Sequence, residues 1–561
     1  MNSPKRPDKS TSAPAPAGFD APFWEAAREG RLLLRHCPAC QRLHHYPRPH
    51  CPFCGHASTE WREVSGHGHV HASTRVERAP RPTAPAIVEL AEGPRISSAV
   101  LDADVHALRI GDPVQVRFVP GEGGALALAF TTPQAEAARR YSRAARAALG
   151  QPDAAAAQAA QALQHAAVIG AGHMGSGIAL ALLAGGLQVV LIDPKDEALQ
   201  GARERMTQAL SDEVTRGRLS ASDMADRLQR LRTASGLPDA AGAQLVIEAV
   251  FEDMALKQSV FAELDRIVGP DALLASNTST LDVGAIAAAT AHPERVLGLH
   301  FFNPAQRMRL VEVVRAPSTG APALDLARAL VQRLGKVPVV VGICHGFVGN
   351  RLMIAREREA ARLLLEGALP EQIDRVQRQF GLPMGTFELQ DMAGGIALTY
   401  HARRKAGQSD WLIEQLFARG RLGLRAGKGY YRYEPGQRRP MPDPEVRALI
   451  EQASAEAGVQ RRRIGDDEIR DRLFLLMINE GTRLIEEGMV ERPSDIDVVW
   501  QLGYGWPDWK GGPMYHADQL GLDQVQARLQ ALQASHGERF APSAQLARCV
   551  REGRSLTSHT S

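Results

Sequence analysis

The sequence predicts a multidomain chain: a cysteine-stapled β-ribbon, a small β-barrel, a central α/β domain on a parallel sheet, and two all-α domains at the carboxyl end. Three observations predict it. Four of the six cysteines form two CxxC pairs, followed by five short β-like runs. Residues 166–193 pass from an apolar run through a glycine turn and a helical stretch to a second apolar run. Beyond residue 346, helical patterns dominate in two stretches that echo one another.

The chain of 561 residues exceeds what one core supports, and its 44% apolar content is that of a globular protein. A net charge of +3, with arginines spread along the chain, gives no strong argument for a nucleic-acid or membrane-surface role, and neither partner is expected. No apolar run reaches the roughly 18 residues of a membrane span. Residues 1–18 read as a disordered Pro/Ser/Ala tail without a leader core, so a cytoplasmic location is the default expectation.

Residues 19–60 read as a helix and a metal ribbon. Cys37, Cys40, Cys51 and Cys54 sit as two knuckles separated by ten residues, and four thiolates with no open position indicate a closed structural zinc site. Little other apolar core surrounds them. Residues 61–132 carry the runs Val70–Val76, Ala86–Leu90, Ser97–Leu101, Val114–Val119 and Ala125–Phe130, which suit a small barrel. This module resembles the zinc-ribbon plus OB-fold proteins that accompany thiolases and other acyl-CoA enzymes. The resemblance lies in Phe23-Trp24-Glu25, Arg31-Leu32-Leu33, both CxxC pairs, Gly66-His67-Gly68 and Ile110-Gly111-Asp112-Pro113-Val114. It implies a partner-binding or CoA-associated role, with a thiolase as candidate partner, and no chemistry of its own. Residues 133–164, rich in Ala, Gln and Arg and broken at Pro152, read as a helical linker.

Residues 165–343 read as a Rossmann-like dinucleotide-binding domain. An apolar run stops at Gly170-Ala171-Gly172-His173-Met174-Gly175, and a second run ends on Asp193, 23 positions after the first glycine. Gly170 permits the tight turn, Gly172 lets backbone approach a pyrophosphate, and Gly175 lets helix and strand pack closely. The βα pattern continues through Leu245–Val250 and a helix from Met254 to Ile267. Polar clusters then interrupt apolar runs: Ser276–Thr280, His300-Phe301-Phe302-Asn303-Pro304, Glu312 within Leu310–Val314, and Asn350 after Gly346-Phe347. A carboxylate inside an apolar strand requires a buried partner, which makes His300 and Glu312 a base-and-orienter pair. Taken singly, Ser279 and Asn350 read as helix caps, and Glu312 as a partner for Arg309 or Arg315.

Region 165–435 is identified as resembling the L-3-hydroxyacyl-CoA dehydrogenases of β-oxidation, including the multifunctional type with a duplicated carboxyl-terminal domain. The resemblance implies a catalytic His300, its partner Glu312, and oxygen-positioning roles for Ser279 and Asn350. It implies NAD contacts at Gly170, Gly172, His173, Met174, Gly175, Asp193, Glu252, Lys257 and Asn277. Asp193 should bind the adenosine ribose and disfavour a 2′-phosphate. His345 and Thr386 stand where proline is common in the family.

Residues 344–434 form the first helical domain, with helices Asn350–Leu365 and Pro370–Phe380. A connector follows at 435–464, and a second helical domain at 465–555. Asn350-Arg351 echoes Asn479-Glu480, and Gly381–Gly385 echoes Gly503–Pro507. The second copy is expected to cover the first as a dimer partner would, in a monomer or homodimer. The implied function is NAD-dependent oxidation of an (S)-3-hydroxyacyl-CoA. No hydratase domain fits upstream, so no hydratase activity is expected. Two other readings remain open: a dehydrogenase of a non-CoA hydroxy acid, and a non-enzymatic scaffold for a thiolase complex.

Overall fold

The computed structural model describes residues 18–558 apart from 77–82, 103–104, 106, 122–124 and 406. The predicted tail therefore lies outside the described residues except for Gly18. The chain divides into two units, Met1–Arg140 with Arg378–Pro383, and Tyr141–Gln377 with Met384–Ser561.

In the first unit a helix, Ala21–Arg28, precedes an antiparallel ribbon of β1 (Leu32–His36), β2 (Leu43–His44) and β3 (Glu60–Val64), in the order β2-β1-β3. The barrel closes from β4 (His67–Ser73), β5 (Ala84–Leu90), β6 (Arg95–Val100), β7 (Pro113–Pro120) and β8 (Leu126–Thr131), ordered β4-β5-β6-β8-β7. Closure removes free sheet edges. Phe23, Leu32 and Leu34 join Val70, Val88 and Phe130 in one buried cluster. This corrects the expectation of a ribbon with little apolar core: β1 buries its leucines against the barrel.

The second unit is built on an eight-stranded sheet. Its strands are β9 (His165–Ile169), β10 (Gln188–Ile192), β11 (Leu231–Ala234), β12 (Leu245–Glu248), β13 (Leu273–Ser276), β14 (Val296–Phe301), β15 (Leu310–Val314) and β16 (Val337–Val341). The order is β11-β10-β9-β12-β13-β14-β15-β16, and pairing is parallel except between β14 and β15. The first six strands reproduce the 3-2-1-4-5-6 order of dinucleotide-binding folds. Helices cover both faces. Leu182, Met206 and Leu330 pack on one, and Phe261, Leu264 and Ile286 on the other. Strands buried on both sides read as near-continuous apolar runs. Glu248, Ser276, His300 and Glu312 are therefore conspicuous, being polar and buried within β12, β13, β14 and β15.

Residues 141–164 are anchored rather than loose. Ala156 and Ala160 pack on Ala329, and Arg333 donates to the carbonyls of Ala160 (2.6 Å) and Leu163 (2.8 Å).

The two helical copies share one buried device. In the first, Asp374 of helix Pro370–Phe380 accepts the N–H groups of Phe387 (3.0 Å) and Glu388 (2.9 Å) and the Tyr431 hydroxyl (2.7 Å). In the second, Asp497 of helix Pro493–Gly503 accepts from Met514 (2.7 Å), Tyr515 (3.1 Å) and the Tyr141 hydroxyl (2.7 Å). Tyr141, more than 350 residues away in sequence, thus plays in the second copy the part of Tyr431 in the first. A Cβ on Gly385 or Gly512 would lie 2.3 Å from the respective aspartate. Gly512, not Pro507, is therefore the counterpart of Gly385, and Pro513 stands where the first copy has Thr386. The copies are joined by Arg472, which reaches Glu359 (2.7 Å) and Glu366 (2.8 Å).

Candidate active site

The chemistry gathers at the carboxyl edge of the sheet. Gly170 follows β9 with φ of 103°, a left-handed value that requires glycine there. A Cβ at Gly175 would strike the Gly170 carbonyl oxygen at 1.8 Å, whereas one at Gly172 would meet nothing within 4 Å. Gly172 is thus an open cradle at the amino terminus of helix His173–Ala184, where backbone N–H groups favour a phosphate. His173 is exposed at this start, and Met174 packs back onto the core. Asp193, just past β10, accepts the Ala171 N–H at 2.9 Å, so its carboxylate lies against the glycine turn. These residues fit a dinucleotide. Sequence reasoning missed Arg205, which donates to the Ala171 carbonyl at 2.7 Å. Its helix, Asp196–Thr215, carries no turn signal that would have singled it out.

Glu252 is a hub. It accepts from the Thr278 hydroxyl (2.6 Å) and from the Ser279 N–H (2.9 Å) and hydroxyl (3.3 Å). Burial pushes its carboxyl up, but the Thr278 hydrogen bond and the Lys257 charge outweigh that and hold it below the usual range. Lys257 is 1% exposed, with its ammonium 2.6 Å from Glu248 and 3.4 Å from Glu252, the carboxylate that holds the Ser276–Thr280 loop. Asn277 accepts the Phe301 N–H at 2.9 Å, which ties the Ser276–Thr280 loop to the end of β14 beside His300.

His300 and Glu312 are paired by register. They are directly opposed across the antiparallel β14/β15 ladder, and His300 Nδ1 lies 2.7 Å from Glu312 Oε2. Glu312 is fully buried, and His300 retains 7% exposure. The other carboxylate oxygen accepts the N–H groups of Val348 (3.2 Å) and Gly349 (2.9 Å), where helix Gly349–Glu366 begins. Glu312 is thus matched to His300 and a helix amino terminus rather than to Arg309 or Arg315. The glutamate accepts the Nδ1 proton, which leaves the Nε2 lone pair available as a base.

Asn350, on the first turn of that helix, accepts the Tyr504 hydroxyl at 2.6 Å. Tyr504 comes from the second helical copy and was not anticipated. Its ring meets Phe302 edge-on at 5.5 Å and stacks on Trp500 at 4.5 Å, while Phe302 lies 4.6 Å from the His300 ring. Burial and the Glu312 charge raise the Tyr504 phenol well above its ordinary value, so it stays a proton donor. The neighbouring Gly349 has no room for a side chain, since a Cβ would lie 2.4 Å from the Tyr504 ring.

In the first unit the sulfurs of Cys37, Cys40, Cys51 and Cys54 all lie within 4.8 Å of one another, with Cys37–Cys54 and Cys40–Cys51 at 3.6 Å. Tetrahedral zinc with bonds of about 2.3 Å sets sulfur separations near 3.8 Å, so the four fit a structural zinc site.

Family profiles agree with this division. The 3-hydroxyacyl-CoA dehydrogenase NAD binding domain matches residues 165–344, and the C-terminal domain of the same family matches twice, at 346–433 and 469–559. The ChsH2 rubredoxin-like zinc ribbon matches 24–60 and the ChsH2 C-terminal OB-fold domain 61–119. The peroxisomal bifunctional enzyme of Danio rerio is 39% identical over 387 residues, 66% of this chain and 53% of its own length. The fatty acid oxidation complex subunit alpha of Psychrobacter cryohalolentis is 36% identical over 373 residues, covering 65% and 52% respectively. The chain thus spans about half the length of the curated relatives it matches. Among solved structures, 3-hydroxybutyryl-CoA dehydrogenase from Escherichia coli superposes with a TM-score of 0.60 at 30% identity, over 70% of this chain and 98% of that one. The dehydrogenase part of multifunctional enzyme 1 from C. elegans gives 0.53 at 27%, over 72% and 98%. The cytoplasmic expectation is corrected by these relatives, since the animal and plant enzymes matched are peroxisomal by name. No helix among the described residues is long and apolar enough to cross a membrane. On its cofactor cradle, its paired helical copies and these matches, the chain belongs to the 3-hydroxyacyl-CoA dehydrogenase family and carries a ChsH2-type zinc-ribbon and OB-fold module at its amino end.

Proposed function

We propose that the second unit oxidises an (S)-3-hydroxyacyl-CoA to the 3-oxoacyl-CoA with His300 as general base. The observation that carries this reading is the His300–Glu312 pair, locked by strand register with Nε2 left for substrate. Bound NAD supplies the acceptor for the hydride that leaves C3. His300 takes the hydroxyl proton at Nε2, and Glu312 stabilises the imidazolium that results. Asn350, its amide oxygen engaged by Tyr504, turns its N–H groups toward the reacting oxygen or the thioester. Ser279 contributes from the Ser276–Thr280 loop. Gly172 and the helix start take the pyrophosphate. Asp193 takes the adenosine ribose and disfavours a 2′-phosphate.

The ChsH2-type module supplies no group to this chemistry. It is assigned a docking role toward a thiolase that consumes the 3-oxoacyl-CoA, a reading supported by the zinc-ribbon and OB-fold match. Co-purification of the full chain with a thiolase from its source cells tests it.

For the dehydrogenase, NADH formation with (S)-3-hydroxyacyl-CoA thioesters is the direct test. His300→Ala should lose about 10²- to 10⁴-fold in kcat while still binding NAD. Near-native turnover in that variant rejects the assignment.

A further inference from the structure

The first helical copy and the following helix, Pro444–Glu456, frame a half-open cavity of about 1110 Å³ that the reaction centre does not account for. Ile354, Ala361, Leu365, Phe387, Trp411 and Tyr430 supply its apolar wall, and Phe387 and Tyr430 pack ring against ring at 4.7 Å. Two observations connect it to the site. Ile354, Glu357, Ala361 and Leu365 follow Asn350 at spacings of four, three, four and four residues, which places them on one stripe of helix Gly349–Glu366. His345 also lines the cavity, two residues before Phe347, whose ring lies 5.7 Å from His300. A smaller cavity of about 290 Å³ shares His345, Ile354 and Arg358 with it and reaches Arg351, next to Asn350.

We infer that this cavity receives the acyl tail of the substrate, and that the tail is bulky, apolar and ring-bearing rather than short and linear. The inference rests on the dehydrogenase reading above and names its substrate class. A thioester held with C3 at His300 and its carbonyl near Asn350 has its tail directed along the stripe that Asn350 begins. The volume exceeds the roughly 300–1,000 Å³ of pockets that take drug-sized ligands, so a four-carbon acyl group would leave it almost unfilled. Aromatic walls offer edge and face contacts that suit a ring. Part of the polar lining is paired in place, while Arg358, Gln408 and Glu456 leave the rim of the cavity polar. Arg403 pairs with Asp410 at 3.2 Å and Arg362 with Glu359 at 3.3 Å, while burial raises the Glu357 carboxyl toward its neutral form.

The test compares kcat/KM of the full chain for (S)-3-hydroxybutyryl-CoA and for an (S)-3-hydroxyacyl-CoA ending in a phenyl or cyclohexyl ring. The ring-bearing thioester should be preferred by at least about tenfold, the scale at which apolar pockets discriminate by size. Filling the wall from opposite sides, by Ala361→Phe or separately Ala402→Trp, should cut that preference by about tenfold. Turnover of both thioesters without preference, or a preference that neither variant changes, overturns the tail assignment alone. Absence of NADH with both thioesters overturns the dehydrogenase reading and the tail assignment with it.

Discussion

Tyr504 of the second helical copy donates its hydroxyl to Asn350 of the first at 2.6 Å, so the second copy sets the orientation of an amide on the helix whose start Glu312 binds. Tyr504→Phe removes that bond and frees the amide to turn. One hydrogen bond of roughly 1.4 kcal/mol corresponds to about tenfold in rate. The variant should lose about that factor in kcat, with NAD binding unchanged. A kcat within twofold of the parent would show that Tyr504 only packs.

Asp374 and Asp391 make the first helical copy sensitive to pH. Burial pushes their carboxyls up to about 7 and about 6, against an ordinary 3.8, because the hydrogen bonds they accept only partly offset desolvation. A carboxyl raised on folding favours the protonated folded state. Its contribution is fully present below about pH 4 and is lost as pH rises through the folded value. Thermal midpoints should therefore carry a component that falls between about pH 4 and pH 7. Asp374→Asn should flatten it, and an unaltered slope in that variant would reject the role.

Tyr141 completes the shell of the fully buried Asp497. Tyr141→Phe leaves one acceptor without its donor, a loss of about 1–3 kcal/mol. Urea unfolding of the second unit should shift to lower midpoint by a corresponding amount. A fragment starting at residue 165 should be weakened further, because it also loses the Arg333 contacts to Ala160 and Leu163. Equal midpoints for fragments 133–561 and 165–561 would show the linker helices to be dispensable.

Replacing Cys37 and Cys40 by serine should abolish stoichiometric zinc. The loss should unravel the two knuckles while leaving β1 seated, since Leu32 and Leu34 are buried with the barrel. Hydrogen exchange would then quicken over about residues 37–56 and not in β4–β8. Dehydrogenase turnover should persist. Metal analysis that finds no zinc in the parent protein purified without chelator would sink the site.

Much of this protein was legible locally. Helices Met254–Ile267 and Pro370–Phe380 fall where apolar periodicity puts them, because helix bounds follow from nearby signals. The two CxxC pairs and the glycine turn likewise carry their geometry in their spacing. The edge strand β11, Leu-Arg-Thr-Ala, was not legible: only Leu231 in it is buried, so it has no clear apolar pattern.

What the sequence by itself determined is therefore the order of modules, the cofactor turn and the thiol cluster, each set by contacts a few residues apart. It also marked Glu312 as a charge needing a partner, since an acidic residue in a five-residue apolar strand is costly alone. Tertiary structure alone decided which partners were chosen. Strand register put His300 opposite Glu312, the docking of two helical copies brought Tyr504 to Asn350, and a linker helix lent Tyr141 to Asp497. Those pairings depend on how separately formed elements pack, and no local pattern encodes a hydrogen bond across 154 or 356 residues.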